Sequence, residues 1–207
     1  MTGHFQPGQS VTVKSISTML GASIMPTREA MNRLIAEGAL ELRPNRTVVV
    51  PVLSAREFDE VTDLRCHVEG LAAEQAVDYF KPEHIQELKA FDAMMRKAAK
   101  SGDIDAYVTN NFQFHFVMYK LGATPFVLSI IESLWVRIGP LIRMSINETG
   151  FDDSAKVHAE MISALETGRK IELRQAIVLD ICGAARAVRP AQSDLARTAP
   201  PRRRGAR

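Results

Sequence analysis

The strand-like pattern of this sequence is confined to residues 39–50, and the longer periodic segments after it are helical. β-Branched residues fill positions 47–50, and Pro51 ends the run. Ser54 and Glu57 then have the spacing of a capping box, in which the two residues satisfy each other's free backbone amides at a helix start. Apolar residues recur at three- and four-residue steps from there onward. This pattern restricts the chain to a mainly α fold.

Five further helical segments are predicted, separated by breaks that contain Gly or Pro. They cover about residues 82–100, 103–121, 125–146, 152–167 and 169–188. The connections between them are short, which favours antiparallel neighbours. Residues 54–188 are therefore predicted to form an all-α antiparallel helical bundle.

Residues 1–53 combine helical and strand patterns. Helices are predicted at 12–20 and 23–37, on either side of a tight turn, and the hairpin at 39–50 follows. This is the plan of a winged helix-turn-helix domain, whose second helix directs its N-terminal residues at base edges of DNA. The residues so placed are Ser23, Ile24, Met25, Thr27 and Arg28, with Arg46 at the hairpin tip. Helix-turn-helix shapes also occur as plain structure, and spacing alone leaves that alternative open.

The net charge of +2 hides a segregation along the chain. Residues 1–53 carry five basic and three acidic side chains, and residues 189–207 carry six arginines and one aspartate. The middle of the chain is therefore acidic, with a net charge of −5. Basic ends of this kind indicate a polyanionic partner. Proline pairs and unpaired charge in residues 189–207 predict a basic disordered tail, either solvated or in non-specific contact with nucleic acid.

Several classes of protein are disfavoured by what the sequence lacks. No run approaches 18 consecutive apolar residues, and the N-terminus has no signal-peptide pattern, so we expect a cytoplasmic protein without a membrane partner. Cys66 and Cys182 form neither a disulfide framework nor a metal knuckle, and are expected to be small core residues. No nucleophile elbow, HExxH sequence or phosphate loop is present, which argues against an enzyme.

Polar side chains interrupt the apolar faces of three predicted helices. Asn111 and His115 are four residues apart and share one face, while His158 and Asp180 each lie among apolar residues on later helices. Burying an unpaired carboxylate is costly, so these groups need partners. A shared divalent ion would satisfy them, and so would internal hydrogen bonds such as one from His158 to Asp180. The residues alone leave both alternatives open.

The order of several short motifs resembles the bacterial GntR family of transcription regulators. The predicted winged helix-turn-helix carries Phe5-Gln6-Pro7-Gly8-Gln9, Leu20-Gly21-Ala22-Ser23, Pro26-Thr27-Arg28-Glu29-Ala30-Met31, Leu34, Glu37-Gly38 and Pro44-Asn45-Arg46. From Arg65 and Glu69 onward the chain resembles FCD, the all-helical effector domain of the FadR subfamily. The resemblance implies a winged helix-turn-helix followed by a ligand-binding and dimerisation domain.

The sequence also departs from the family pattern. Ile24 stands where the family has Arg, which removes a cation expected to meet DNA, and Thr47 stands where the family favours Gly at the wing tip. The family domain begins with a helix before the Pro7-Gly8 turn, and that first helix is missing here. We expect a misassigned start codon; a protein that truly lacked the helix would expose apolar surface and bind DNA poorly.

The resemblance also implies a ligand set for the metal. FCD domains hold it with an Asp-x3-His pair and two further His, the last two separated by about 22 residues. Here Asn111 replaces the Asp, His115 and His158 match, and Asp180 replaces the last His. Such a set of two nitrogens and two oxygens suits Zn, Ni, Mn or Fe. Because an amide is a weaker ligand than a carboxylate, lower affinity is expected.

The family metal docks a small carboxylate effector, and two arginines are candidates to pair with it. Arg65 matches the family Arg of the first body helix, and Arg137 follows Trp135 by two residues. A surface or interface salt bridge is the alternative for each. Together these features predict a homodimer that binds a double-stranded DNA operator under the control of a small organic acid. The alternatives are a ligand-sensing helical module with an impaired DNA-binding head and a metal-dependent hydrolase.

Overall fold

The computed structural model describes residues 3–149 and 152–198. Contacts divide the chain into two compact units. The smaller unit contains residues 5–58 and 189–198, and the helical unit contains residues 3–4 and 59–188. The boundary thus follows Phe58 rather than residue 53, because the first turn of a long helix belongs to the smaller unit. Phe58 itself is buried and lies under the guanidinium of Arg189, 5.4 Å from its ring centroid.

The smaller unit is a winged helix-turn-helix. Its elements are β1 (Ser10–Val11), α1 (Val13–Leu20), α2 (Ile24–Ala36), β2 (Glu41–Leu42) and β3 (Val48–Val49). Gly21 has a φ of 61°, which suits the left-handed turn between the two helices. The three strands form an antiparallel sheet in the order β1-β3-β2, with Val11 and Leu42 both opposite Val48. Strand β1 was not predicted from the sequence.

The core of the smaller unit brings together residues from every part of its fold. Met31 of α2 packs with Val11 of β1 and with Leu40 and Val50, which lie directly before β2 and directly after β3. Phe5, Leu34 and Ile35 pack against this cluster from its edge. One face of α2 is therefore anchored, and the opposite face is exposed.

The helical unit is built from long helices, as expected. The helices are α3 (Ala55–Ala76), α4 (Pro82–Ser101), α5 (Ile104–Gly122), α6 (Pro125–Thr149), α7 (Asp152–Glu166) and α8 (Lys170–Thr198), with a short 3₁₀ helix at Val77–Tyr79. Helix α5 packs against both α4 and α6. Its end approaches α3 closely, since a Cβ atom on Gly122 would lie 1.8 Å from the carbonyl oxygen of Ala72. The predicted capping box is confirmed: the Glu57 amide donates to Ser54 Oγ, and the Ser54 amide donates to Glu57 Oε2.

The prediction of a disordered tail from residue 189 was wrong for residues 189–198. These residues continue α8, which contains Pro190 within it. A proline inside a helix removes one backbone hydrogen bond, but the helix is held by a tertiary contact. Gln192 is 2% exposed, and its Nε2 donates to the Leu53 carbonyl at 2.6 Å. The remaining part of the predicted tail, residues 199–207, lies outside the described residues.

Helix α6 is the most apolar segment of the chain. Its residues Pro125–Ile146 have a mean hydropathy of 1.5, enough by length and composition to cross a membrane. The search for about 18 consecutive apolar residues in the sequence did not find this segment, because Glu132, Arg137 and Arg143 interrupt it. Ile131, Trp135 and other side chains of α6 are buried in the helical unit. A core helix of a bundle has the same composition, so α6 gives no indication of a membrane.

Candidate functional site

Three of the predicted metal ligands meet inside the helical unit. His115 on α5, His158 on α7 and Asp180 on α8 place one ligand atom each within 4.8 Å of the others. His115 Nε2 lies 3.4 Å from Asp180 Oδ2, and His158 Nε2 lies 3.7 Å from Asp180 Oδ1. Both histidines are buried, and Asp180 is 16% exposed. Residues distant in sequence thus converge on one point, here named the His-His-Asp cluster.

His158 has no conventional partner for its inward-facing nitrogen. Its Nε2 is buried and accepts or donates no hydrogen bond among the described residues. The expected alternative, a hydrogen bond to Asp180, is not made because 3.7 Å is too long. Burial lowers the pKa of His158 to about 4, against the opposing effect of Asp180, so the ring is neutral at pH 7. A neutral imidazole with a buried lone pair is the form that binds a metal ion.

Asp180 is kept ionised by its neighbours. Burial alone would raise the pKa of the carboxyl, but the hydrogen bond with His115 and the electrostatic effects of His115, His158 and Arg65 outweigh burial and lower it. The cluster therefore offers one carboxylate and two imidazoles. Oxygen and imidazole ligands suit Zn, Ni, Mn or Fe, and the residues present fit a divalent ion.

A hydrogen-bonded chain orients His115 toward the cluster. The Tyr119 hydroxyl donates to Glu69 Oε2 at 2.7 Å and lies 3.2 Å from His115 Nδ1. Burial and Glu69 raise the pKa of Tyr119, so the hydroxyl keeps its proton. Because that proton is given to Glu69, the Tyr119 oxygen accepts from His115 Nδ1–H, an assignment made from the network. His115 Nε2 then faces Asp180, and a metal ion bound there would take the place of the proton that hydrogen-bonds this nitrogen to the carboxylate.

A Tyr119→Phe substitution is expected to weaken Zn²⁺ binding by about 10-fold or more, the cost typical of removing a hydrogen bond that orients a metal-bound histidine. Competition with a chromogenic chelator measures the affinity. Tyr79→Phe is the control, because Tyr79 is 61% exposed. Equal Zn²⁺ affinity in both variants would show that Tyr119 does not orient His115.

Asn111, the fourth predicted ligand, lies one helical turn before His115 on α5 and is buried, with 9% of its surface exposed. Residues four apart share a helix face, so this placement is compatible with a ligand. Its role as a ligand stays a prediction.

The two arginines proposed for the effector lie in different environments. Arg65 is 6% exposed and its Nε donates to Glu69 Oε1 at 2.6 Å, with its guanidinium 5.2 Å from the Trp135 ring centroid. Its positive charge is thus already balanced inside the protein. Arg137 is exposed on α6. It follows Trp135 by two residues, about 200° around the helix, and so lies on roughly the opposite side of α6 from that buried ring.

Glu69 and Tyr119 are central to the site but were not predicted as site residues. Glu69 is fully buried and accepts from both Arg65 and Tyr119. A signal was present in the sequence, since Glu69 follows Arg65 by four residues and Tyr119 follows His115 by four. The contact between Glu69 and Tyr119 itself spans two helices and has no local signature.

The four predicted DNA-contacting residues separate into exposed and buried ones. Ser23, Arg28 and Arg46 are exposed, and Arg46 adopts a φ of 63° at the wing turn, so the left-handed position is Arg46 rather than Thr47. The prediction for Thr27 was wrong. Thr27 is 4% exposed, and its hydroxyl donates to the Ser23 carbonyl at 2.8 Å, because it lies on the face of α2 that packs on the core.

Cys66 and Cys182 are neighbours across α3 and α8, with their sulfurs 3.8 Å apart. Both are free and half-buried. Burial, reinforced by Cys182, raises the pKa of Cys66 to about 12. The thiol therefore stays protonated at neutral pH and is a poor nucleophile, in keeping with a packing role.

Comparison with known proteins agrees with this architecture. The FCD domain family matches residues 60–181, and the gntR family of bacterial regulatory proteins matches residues 1–50. The chain is 33% identical over 138 residues to the Escherichia coli HTH-type transcriptional regulator McbR, covering 67% of this chain and 62% of McbR. It is 26% identical over 166 residues to the "Probable D-xylose utilization operon transcriptional repressor" of Paenarthrobacter nicotinovorans, covering 80% of this chain and 73% of that protein.

A solved structure of E. coli McbR/YncC superposes with a TM-score of 0.78 at 26% identity, covering 95% of this chain and 91% of that one. In the sequence comparison, this chain spans less than two thirds of the length of E. coli McbR. The FCD match alone covers more than half of the chain. With a winged helix-turn-helix ahead of an FCD domain, this chain belongs to the GntR family of bacterial regulatory proteins, in its FCD-containing FadR subfamily.

Proposed function

We propose that this protein is a transcription regulator whose binding to a double-stranded DNA operator is controlled by a small organic acid bound in the helical unit. The observation that carries the proposal is the joining, in one chain, of a winged helix-turn-helix to a helical domain with a buried His-His-Asp cluster. Relatives with this domain pair are named as transcriptional regulators and repressors.

The smaller unit supplies the contacts with DNA. Helix α2 enters the major groove, where Arg28 meets base edges or phosphates, and Ser23 lies at its start. Arg46 at the wing turn reaches a phosphate or the minor groove. The chain acts as a cytoplasmic homodimer, so that a two-fold operator mirrors the protein.

The helical unit supplies the control. His115, His158 and Asp180, with Asn111 as the fourth ligand, would hold a divalent metal ion of the Zn, Ni, Mn or Fe group. The ion would offer open coordination positions to the oxygens of a carboxylate effector. Arg65 favours the negative charge of Asp180, and its pairing with Glu69 makes it a structural cation. Direct pairing of the effector with Arg65 or Arg137 remains a proposal.

An Arg28→Ala variant is expected to bind the operator more weakly by about 1–3 kcal/mol, the range for an arginine at a base edge. Arg33→Ala on the same helix is the matched control, since Arg33 Nε is bound to Glu37 at 2.7 Å. Fluorescence anisotropy of a labelled duplex measures both affinities. Equal losses in the two variants would contradict a specific role for Arg28.

The proposal is tested by selecting bound duplexes from a random library with the full chain and sequencing them. The expected result is an enriched palindromic motif. Enrichment without any motif would support the alternative of a sensing module with an impaired DNA-binding head. A panel of small carboxylates, tested with Zn²⁺ present, is expected to contain compounds that change operator affinity. Chelation is expected to abolish that change.

A further inference from the structure

The first turn of α2 exposes large apolar side chains. Ile24 is 53% exposed and Met25 is 64% exposed. Met19 and Leu20, at the end of α1, are 52% and 64% exposed, so the patch continues around the turn. Exposed apolar patches of this kind mark contact surfaces.

The fold does not account for this exposure. Thr27 and Met31 anchor α2 to the core, and at 100° per residue Met25 lies roughly opposite them. Met25 shares its side of the helix with Arg28, which is exposed and has no ion-pair partner in the described part of the chain. In the described part of the chain, more than half of Ile24 and of Met25 is therefore open to a second molecule.

The net positive charge of residues 1–53, five basic against three acidic side chains, favours a polyanion as that molecule. Lys14, Arg28 and Arg46 are exposed on the same unit. In a helix-turn-helix bound to DNA, the residues at the start of the second helix lie against base edges in the major groove. The apolar side chains thus occupy positions where bases are read.

Only one base presents an apolar group in the major groove. Thymine carries a C5 methyl, whereas the other groups on the floor of the groove are hydrogen-bond donors and acceptors. Neither Ile nor Met has a polar hydrogen to donate, so neither can satisfy the acceptors of guanine. Ile24 is a stiff β-branched side chain, and Met25 is unbranched and adaptable, which suits one fixed and one adjustable contact.

We propose that Ile24 and Met25 read the C5 methyl groups of thymines in each operator half-site. This inference rests on the proposed DNA-binding function. It assigns the specificity of this chain to apolar contacts at two positions, with Arg28 and Arg46 supplying charge.

The test replaces thymine by uracil, one position at a time, in the selected operator. Uracil keeps the hydrogen-bonding edge of thymine and lacks only the methyl. Burying one such carbon is worth about 0.8 kcal/mol, so affinity of the full chain should fall about four-fold at the contacted thymines. Ile24→Ala and Met25→Ala should each abolish the uracil effect at their own thymine. Leu42→Ala, which truncates an exposed residue on the wing, should leave the effect intact.

The outcomes separate the two levels of the proposal. If no motif is selected, the DNA-binding function itself fails, and this inference fails with it. If the operator binds tightly and no uracil substitution changes its affinity, methyl reading is wrong while the function stands. A uracil effect that persists in both alanine variants assigns the reading to other residues and also overturns the inference. Circular dichroism of each variant verifies the fold.

Discussion

A Glu69→Ala variant is expected to lose about 3–5 kcal/mol of unfolding free energy, the cost of breaking a buried ion pair by removing one partner. Glu69 is fully buried and accepts from Arg65 at 2.6 Å and from Tyr119 at 2.7 Å. Without Glu69, the buried Arg65 guanidinium keeps its charge but loses its hydrogen-bonded carboxylate, and only the weaker effect of Asp180 remains. The Tyr119 hydroxyl loses its acceptor as well.

Glu74 provides a matched control on the same helix. It accepts from Arg174 at 2.9 Å, but both side chains are partly exposed, by 31% and 43%. Exposed pairs contribute about 0–1 kcal/mol, so Glu74→Ala should be nearly neutral. Urea denaturation followed by the fluorescence of Trp135 measures both variants, since this is the one tryptophan of the sequence and Arg65 lies over its ring.

The urea titrations are run in chelator, so that metal binding does not enter the comparison. Losses of similar size for Glu69→Ala and Glu74→Ala would contradict the buried ion pair. A paired Arg65→Met and Glu69→Leu change should recover most of the stability, because both charges are then removed together.

His158→Ala is expected to remove the bound metal ion. His158 supplies one of the two imidazoles of the His-His-Asp cluster. Removing a residue that only orients a ligand typically lowers metal affinity by about 10–100-fold, and losing the ligand itself should lower it further. Metal content after dialysis against Zn²⁺, measured by mass spectrometry, should fall to the background level. His67→Ala is the control, because His67 is exposed and its Nδ1 contacts the Asp63 carbonyl.

A His158→Phe variant separates metal binding from packing. Phenylalanine fills the space of the ring and removes the buried nitrogen that has no partner among the described residues. In chelator this variant should be at least as stable as the natural chain, because an unsatisfied polar atom is gone. Added Zn²⁺ should raise the melting temperature of the natural chain and not that of His158→Phe. An equal Zn²⁺ effect in both would contradict the metal site.

The parts of the fold that follow from local pattern were predictable from the sequence. The capping box at Ser54 and Glu57, the wing and the long helices each have a signature within a few residues. The His-His-Asp cluster was predicted by a different route. His115, His158 and Asp180 interrupt apolar helix faces, so these polar side chains need partners, and the family resemblance then assigned them to one metal site.

What escaped prediction depends on contacts between distant segments. Thr27 lies in the first turn of the recognition helix, and only the packing of α2 decides that it faces the core. Helix α8 continues past Pro190 because Gln192 reaches the backbone of Leu53, a contact with no trace in the local composition. The link between Glu69 and Tyr119 spans 50 residues, so the orientation of His115 required the assembled bundle.

The most direct test of the whole account compares two dissociation constants of the full chain at about 150 mM salt. One is for the selected operator, and the other is for a duplex of the same composition in permuted order. A specific regulator should favour the operator by about 10³-fold or more. Equal affinities would contradict the account, because they would leave only the charge attraction that any basic surface has for DNA.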